Sequence, residues 1–128
     1  MTELPMDALF VEPTEHPYEI SMVNDKDIIE FNLVENIEDV CEIRIMRISP
    51  SACIIYNKYA TLNQGNANRT VNNTIIAGNF YIVGLTDKWK LTSLTKKQKL
   101  KYINKFWNTE VYTEYDIINT YLDSLYDV

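Results

Sequence analysis

The sequence predicts an α+β fold: a mostly antiparallel sheet of about five strands, one helix after a first hairpin, and two helices at the C-terminus. Three observations carry this. Residues 40–48 (VCEIRIMRI) alternate apolar and polar, the period of a half-buried strand. The stretch Asn63–Leu85 runs an asparagine-rich segment into the most strand-prone part of the chain. After Leu94 the period lengthens, with Leu100, Ile103, Phe106 and Trp107 at helical spacing.

In chain order, Ala8–Glu12 and Tyr18–Val23 are rich in strand formers and are separated by Pro13-Thr14-Glu15-His16-Pro17. Two prolines with polar residues between them make a turn, hence a hairpin. Asn24 or Asp25 can cap a helix over Lys26–Glu35, which carries Ile28, Ile29, Phe31, Leu33 and Val34. Val40–Ile48 is a strand with Cys41, Ile43 and Ile45 on one face. Ser49-Pro50-Ser51 breaks it, and Ala52–Tyr56 pairs back antiparallel. Asn57–Asn73 holds six asparagines without apolar periodicity and reads as a long loop, the kind that carries function. Ile75–Leu85 is expected to be one central strand punctuated by Gly78 and Gly84. Thr95 and Gln98 form a capping box that starts the first C-terminal helix. A second spans about 114–126, with Ile117/Ile118, Tyr121/Leu122 and Leu125/Tyr126 recurring every turn.

At 128 residues the chain is expected to form a single domain over residues 1–128. Its longest apolar runs fall short of the roughly 20 residues of a membrane helix. The acidic start MTELPMDALF lacks the basic region of a signal peptide, so a cytoplasmic location and no membrane association are expected. Cys41 and Cys53 are too few for a disulfide framework or zinc site and read as buried thiols. The net charge of −6 is unevenly spread. Residues 1–50 carry twelve acids and three bases, whereas residues 51–128 carry six acids and nine bases. Such polarity bears on partners rather than on fold.

Catalytic signatures are not apparent. His16, the single histidine, sits in a proline-flanked turn. Asp25/Asp27 and Glu38/Asp39 lack the spacing of a metal site, and Asp25 and Asp27 suit a helix N-terminus better. There is no nucleophile elbow and no phosphate-cradling glycine loop. The expectation is a protein without catalytic residues, metal or cofactor. The candidate binding residues are Asn63, Asn66, Asn68, Arg69, Asn72 and Asn73: asparagine both donates and accepts, and arginine forks onto carboxylate or phosphate. Equally, asparagines in such a run can simply make turns. A basic patch of Lys88, Lys90, Lys97, Lys101 and Lys105, near Trp89, Tyr102 and Trp107, offers a second surface suited to phosphate backbones.

The pieces VEPTEHPYEI, IIYNK, Asn68-Arg69, IIAGNFYIVGL and SLT leading into KYINKF follow one another across about residues 10–112. In that order and spacing the chain resembles an uncharacterised family of small proteins, a domain of unknown function. Its members occur mainly in bacteriophages, plasmids and mobile elements of Firmicutes. Members of that family usually carry a proline before the Asn-Arg pair, where this chain has Gly65-Asn66-Ala67. They often carry an acidic turn where it has TDKWKL. Residues 113–128 look like a helical addition. The resemblance implies a mobile-element origin more than a mechanism.

The expected function is therefore binding. The first reading is an anti-defence inhibitor in the bacterial host cell, of the anti-CRISPR or a similar type, acting on a host protein or sequestering a small nucleotide ligand. The alternatives are a small nucleic-acid- or nucleotide-binding regulator and a structural module that forms a homo-oligomer.

Overall fold

The computed structural model describes residues 5–36, 38–60, 67–113, 115, 116, 118, 119 and 122. The elements are β1 (Met6–Val11), β2 (Tyr18–Met22), α1 (Lys26–Leu33), β3 (Ile43–Ser49), β4 (Ala52–Asn57), β5 (Ala67–Val71), β6 (Thr74–Ala77), β7 (Phe80–Leu85), β8 (Leu91–Thr92) and α2 (Lys96–Lys105). The main sheet runs β2-β1-β7-β4-β3, with β8 paired to the far end of β7, and every pairing is antiparallel. β5 and β6 form a separate two-stranded ribbon.

The sheet is buried on both faces, so its inner strands read as continuous apolar runs. Leu9, Val11, Ala52, Ile54, Phe80 and Ile82 point to one side. There they meet Leu94, Tyr102 and Phe106 around α2, and Val71 and Ile76 of the ribbon. Ala8, Phe10, Cys53, Ile55, Tyr81 and Val83 point to the other side and meet Ile29 and Leu33 of α1. Register fixes this division, because Ile54 faces Ile82 across β4 and β7 while Ile55 faces Tyr81. A slip of one residue would exchange the two cores.

Eight strands form where about five were expected, and the difference has local causes. The supposed loop at 57–73 contains β5. Asn72 (φ 48°) and Asn73 (φ 65°) are both left-handed, and Val71 pairs with Thr74 across them. That is a two-residue hairpin turn, which favours residues tolerant of positive φ. The expected single strand Ile75–Leu85 is divided at Gly78, whose φ of +70° turns the chain out of the ribbon and into the sheet. The third addition is β8, only two residues long. Cys41 precedes β3 and is half-buried, whereas Cys53 is fully buried in β4. Burial pushes the Cys53 thiol up to about 11.

Both expected helix starts have the anticipated caps. The Asp25 carboxylate accepts from the Asp27 and Ile28 amides. Thr95 and Gln98 make both halves of the capping box. Most of the second C-terminal helix, expected over about 114–126, lies outside the described residues. The described positions Tyr115, Asp116, Ile118, Asn119 and Leu122 are helical.

Gly84 sits where the chain turns back into β8. A Cβ there would lie 2.7 Å from the Thr92 carbonyl oxygen and 2.8 Å from that of Ser93. Backbone cannot yield as a side chain can, so Gly84→Ala is expected to destabilise the fold by about 2 kcal/mol or more. A urea midpoint equal to that of the wild type would contradict the close approach.

Candidate functional site

Two of the asparagine-run candidates, Asn63 and Asn66, lie outside the described residues. The rest do not form an open polar loop. Asn68 and Arg69 are strand residues, each only 1% exposed. Asn68 Nδ2 donates to the Val11 carbonyl at 2.9 Å and to the Gly78 carbonyl at 2.8 Å, tying the end of β1 to the turn that leaves the ribbon. Its Oδ1 accepts from an Arg69 terminal nitrogen at 2.7 Å. Arg69 also donates to the Phe106 carbonyl through Nε at 3.1 Å, to the Glu15 carbonyl at 2.6 Å, and to the Asn68 carbonyl at 3.2 Å. The guanidinium thus joins the β1–β2 turn, β5 and the end of α2. Phe106 caps α2, so its carbonyl carries the negative end of the helix dipole, which offsets part of the cost of burying the charge. Burial pushes the Arg69 pKa down, and Glu110 and Tyr112 oppose that shift.

The expected recognition site centred on Asn68-Arg69 therefore meets a different arrangement. Asn68 and Arg69 are buried and hydrogen-bonded within the fold, while Asn72 and Asn73 form the exposed ribbon turn. The Asn-Asn pair between Thr70-Val71 and Thr74-Ile75 was a hairpin signal in the sequence. The burial of Asn68 and Arg69 had none.

The same knot fixes the β1–β2 turn. His16 stacks on Trp107 at 3.8 Å, nearly parallel. Its Nδ1 lies 2.6 Å from the Trp107 carbonyl; a carbonyl only accepts, so Nδ1 carries the proton. Thr14 is held at φ 67°, costly for a β-branched residue.

The candidate basic residues sit on two elements, α2 and the β7–β8 turn. Lys97, Lys101 and Lys105 are exposed along α2, on the face covered by α2 and the ribbon. Lys88 and Lys90 lie in the β7–β8 turn beside Arg47, which pairs in register with Cys53 and so leaves the sheet on the α1 face.

A groove of about 810 Å³ lies between α1 and the first hairpin. Phe10, Tyr18, Phe31, Val34 and Cys41 supply its apolar lining, while Glu12, Asp27, Glu30, Glu35 and Asp39 bring carboxylates. Its lining includes no lysine or arginine among the described residues. A smaller hollow of about 260 Å³ adjoins it, sharing Phe10, Tyr18 and Asn32. The aromatic floor is ordered: Phe10 meets Tyr18 at 6.0 Å and Tyr81 at 4.8 Å, both edge to face, and Asn32 donates to the Tyr81 hydroxyl at 2.8 Å. Phe31 is 76% exposed on the open side of α1.

The carboxylates differ in what they already do. Glu12 accepts from the Tyr18 hydroxyl, whose pKa burial and this bond push up to about 12. Asp39 accepts from the Glu35 and Asn36 amides, and Glu30 pairs with Lys26 at 3.5 Å. Asp27 and Glu35 have no side-chain partner among the described residues. Sequence reading missed this groove because its walls come from the first hairpin, α1, the α1–β3 connection and Asn79. The available signals were the acidic excess of residues 1–50 and the off-phase Phe31.

The chain belongs to the family described as domain of unknown function DUF3846, whose model matches residues 6–107, from β1 to just past α2. No curated protein and no solved structure matches it.

Removing the Asn68 amide strands two buried carbonyls and one guanidinium donor. Asn68→Ala is therefore expected to cost about 2–4 kcal/mol, measured by chemical denaturation. A loss under about 0.5 kcal/mol, the usual range for surface sites, would place Asn68 outside the structural knot.

Proposed function

We propose that this protein acts by binding rather than by catalysis, as an accessory protein of a bacteriophage or other mobile element. It works in the bacterial cytoplasm, where it blocks a host defence component by holding a basic segment of that protein in the groove between α1 and the first hairpin. The observation that carries this reading is the pairing of an aromatic floor with a rim of five carboxylates in one concavity. Apolar floors hold aliphatic or aromatic anchors, and a charged rim speeds encounter and sets specificity. A lysine- or arginine-rich segment with an apolar anchor fits both features.

The same chemistry argues against sequestration of a nucleotide at this place. Phosphates would meet Glu12, Asp27, Glu30, Glu35 and Asp39 without a compensating cation in the lining, and the guanidinium of Arg69 is turned inward onto backbone carbonyls. An acidic surface that imitates nucleic acid toward a basic host protein remains consistent with the groove. Glu12 and Glu30 line it, whereas Glu19 pairs with Lys99 at 3.0 Å.

Asp27 and Glu35 are the informative positions, since neither side chain has a described partner within the fold. In a pull-down from host lysate, the Asp27→Lys/Glu35→Lys variant is expected to lose at least about tenfold of a basic protein that the wild type captures. Capture by the wild type should also weaken between about 0.05 and 0.5 M salt, as exposed charge pairs do. Capture indifferent to both the substitutions and the salt would remove the groove from the binding surface.

A further inference from the structure

The β7–β8 turn, Thr86–Lys90, presents an exposed tryptophan on a backbone that disfavours one. Trp89 has φ 61°, in the left-handed region, and its side chain is 58% exposed. Gly, Asn or Asp would satisfy such a turn at lower cost, because a Cβ in this region crowds the following carbonyl. A large aromatic residue here gains little from burial, so what it presents to the outside is its more informative property.

The surroundings hold that ring in place. The turn is closed by Trp89 N donating to the Thr86 carbonyl at 3.1 Å, and by Thr86 N donating to the Lys90 carbonyl at 2.9 Å. Lys90 N adds a bond to the Thr86 hydroxyl at 3.1 Å. Arg47, from β3, reaches across: its guanidinium donates to the Pro50 carbonyl at 2.7 Å and the Thr86 carbonyl at 2.9 Å, and lies 4.8 Å from the centre of the indole. Two hydrogen bonds fix the cation, and the cation fixes the ring. Lys88 and Lys90 flank Trp89, both exposed and without an ion-pair partner among the described residues. Within residues 86–90, Asp87 is the one acid beside Lys88 and Lys90.

From these observations we infer that the turn is a stacking site for single-stranded nucleic acid: a base lies on the Trp89 indole, and Lys88 and Lys90 meet the phosphates on either side. A rigid aromatic face flanked by mobile cations is the chemistry by which proteins hold single strands without reading sequence. Ring and charge together select a ligand with a planar ring and repeated phosphates. The site is separate from the groove, shares no residue with it, and needs neither Arg69 nor the lysines of α2.

The test uses the full chain and a fluorescein-labelled twelve-nucleotide oligothymidylate, with binding read by anisotropy at low salt. Wild type is expected to bind, and Trp89→Gly to weaken binding by at least about tenfold, the usual scale of one lost stacking contact. Since glycine is at ease at this φ, Trp89→Gly should melt within a few degrees of wild type. Lys88→Ala/Lys90→Ala should reduce both the affinity and its salt slope, while Trp107→Ala leaves both unchanged. Failure of the oligonucleotide to bind wild type would overturn the inference. So would unfolding of Trp89→Gly, which would make the indole structural. Thymidine monophosphate binding as tightly as the oligomer would assign the site to free nucleotides instead of strands. An acidic peptide displacing the oligomer at equal concentration would assign it to anionic protein surfaces.

Discussion

The buried guanidinium of Arg69 is the interaction on which the arrangement of this protein depends. A charge at 1% exposure is tolerable only if its donors are met by oriented acceptors. Here the carbonyls of Glu15, Asn68 and Phe106 and the amide oxygen of Asn68 meet them. These acceptors come from three segments far apart in the chain, so satisfying the arginine requires the β1–β2 turn, the ribbon and the end of α2 to be in place together. The same turn carries Glu12 at its start and Tyr18 at its end, both part of the groove wall. Arg69 thus supports the proposed site without lining it.

The layers make sense around that knot. α2 and the ribbon cover one face of the sheet, and α1 covers part of the other. α1 buries Ile29 and Leu33, one turn apart, while Ile28 and Phe31 stay exposed. A helix that buries so narrow a stripe leaves room between itself and the first hairpin, and the groove occupies that space. At the end of β7, Gly84 lets the chain fold back tightly into β8, which positions the turn bearing Trp89.

Much of this was legible in the sequence, wherever the governing physics is local. Alternation gave the strands, the Asp25 and Thr95 caps gave the helix starts, and the proline-flanked turn gave the first hairpin. What was not legible is tertiary. Asn68 and Arg69 look like recognition residues because their chemistry is that of recognition; only the fold decides whether the acceptor is a ligand or the protein's own backbone. The division of 75–85 into two strands depended on the left-handed Gly78, and the ribbon on two asparagines whose positive φ a composition-based reading treats as loop. The groove is assembled from residues between 10 and 79, so no local pattern announces it.

The donors of Arg69 are held inside the fold. The exchange rate of its Nε proton, followed by nuclear magnetic resonance, measures this most directly. It is expected to exchange on the order of a hundredfold more slowly than that of the more exposed Arg44, and to resist added salt. Exchange as fast as that of Arg44 would mean the guanidinium is open to solvent, and the structural knot would be contradicted.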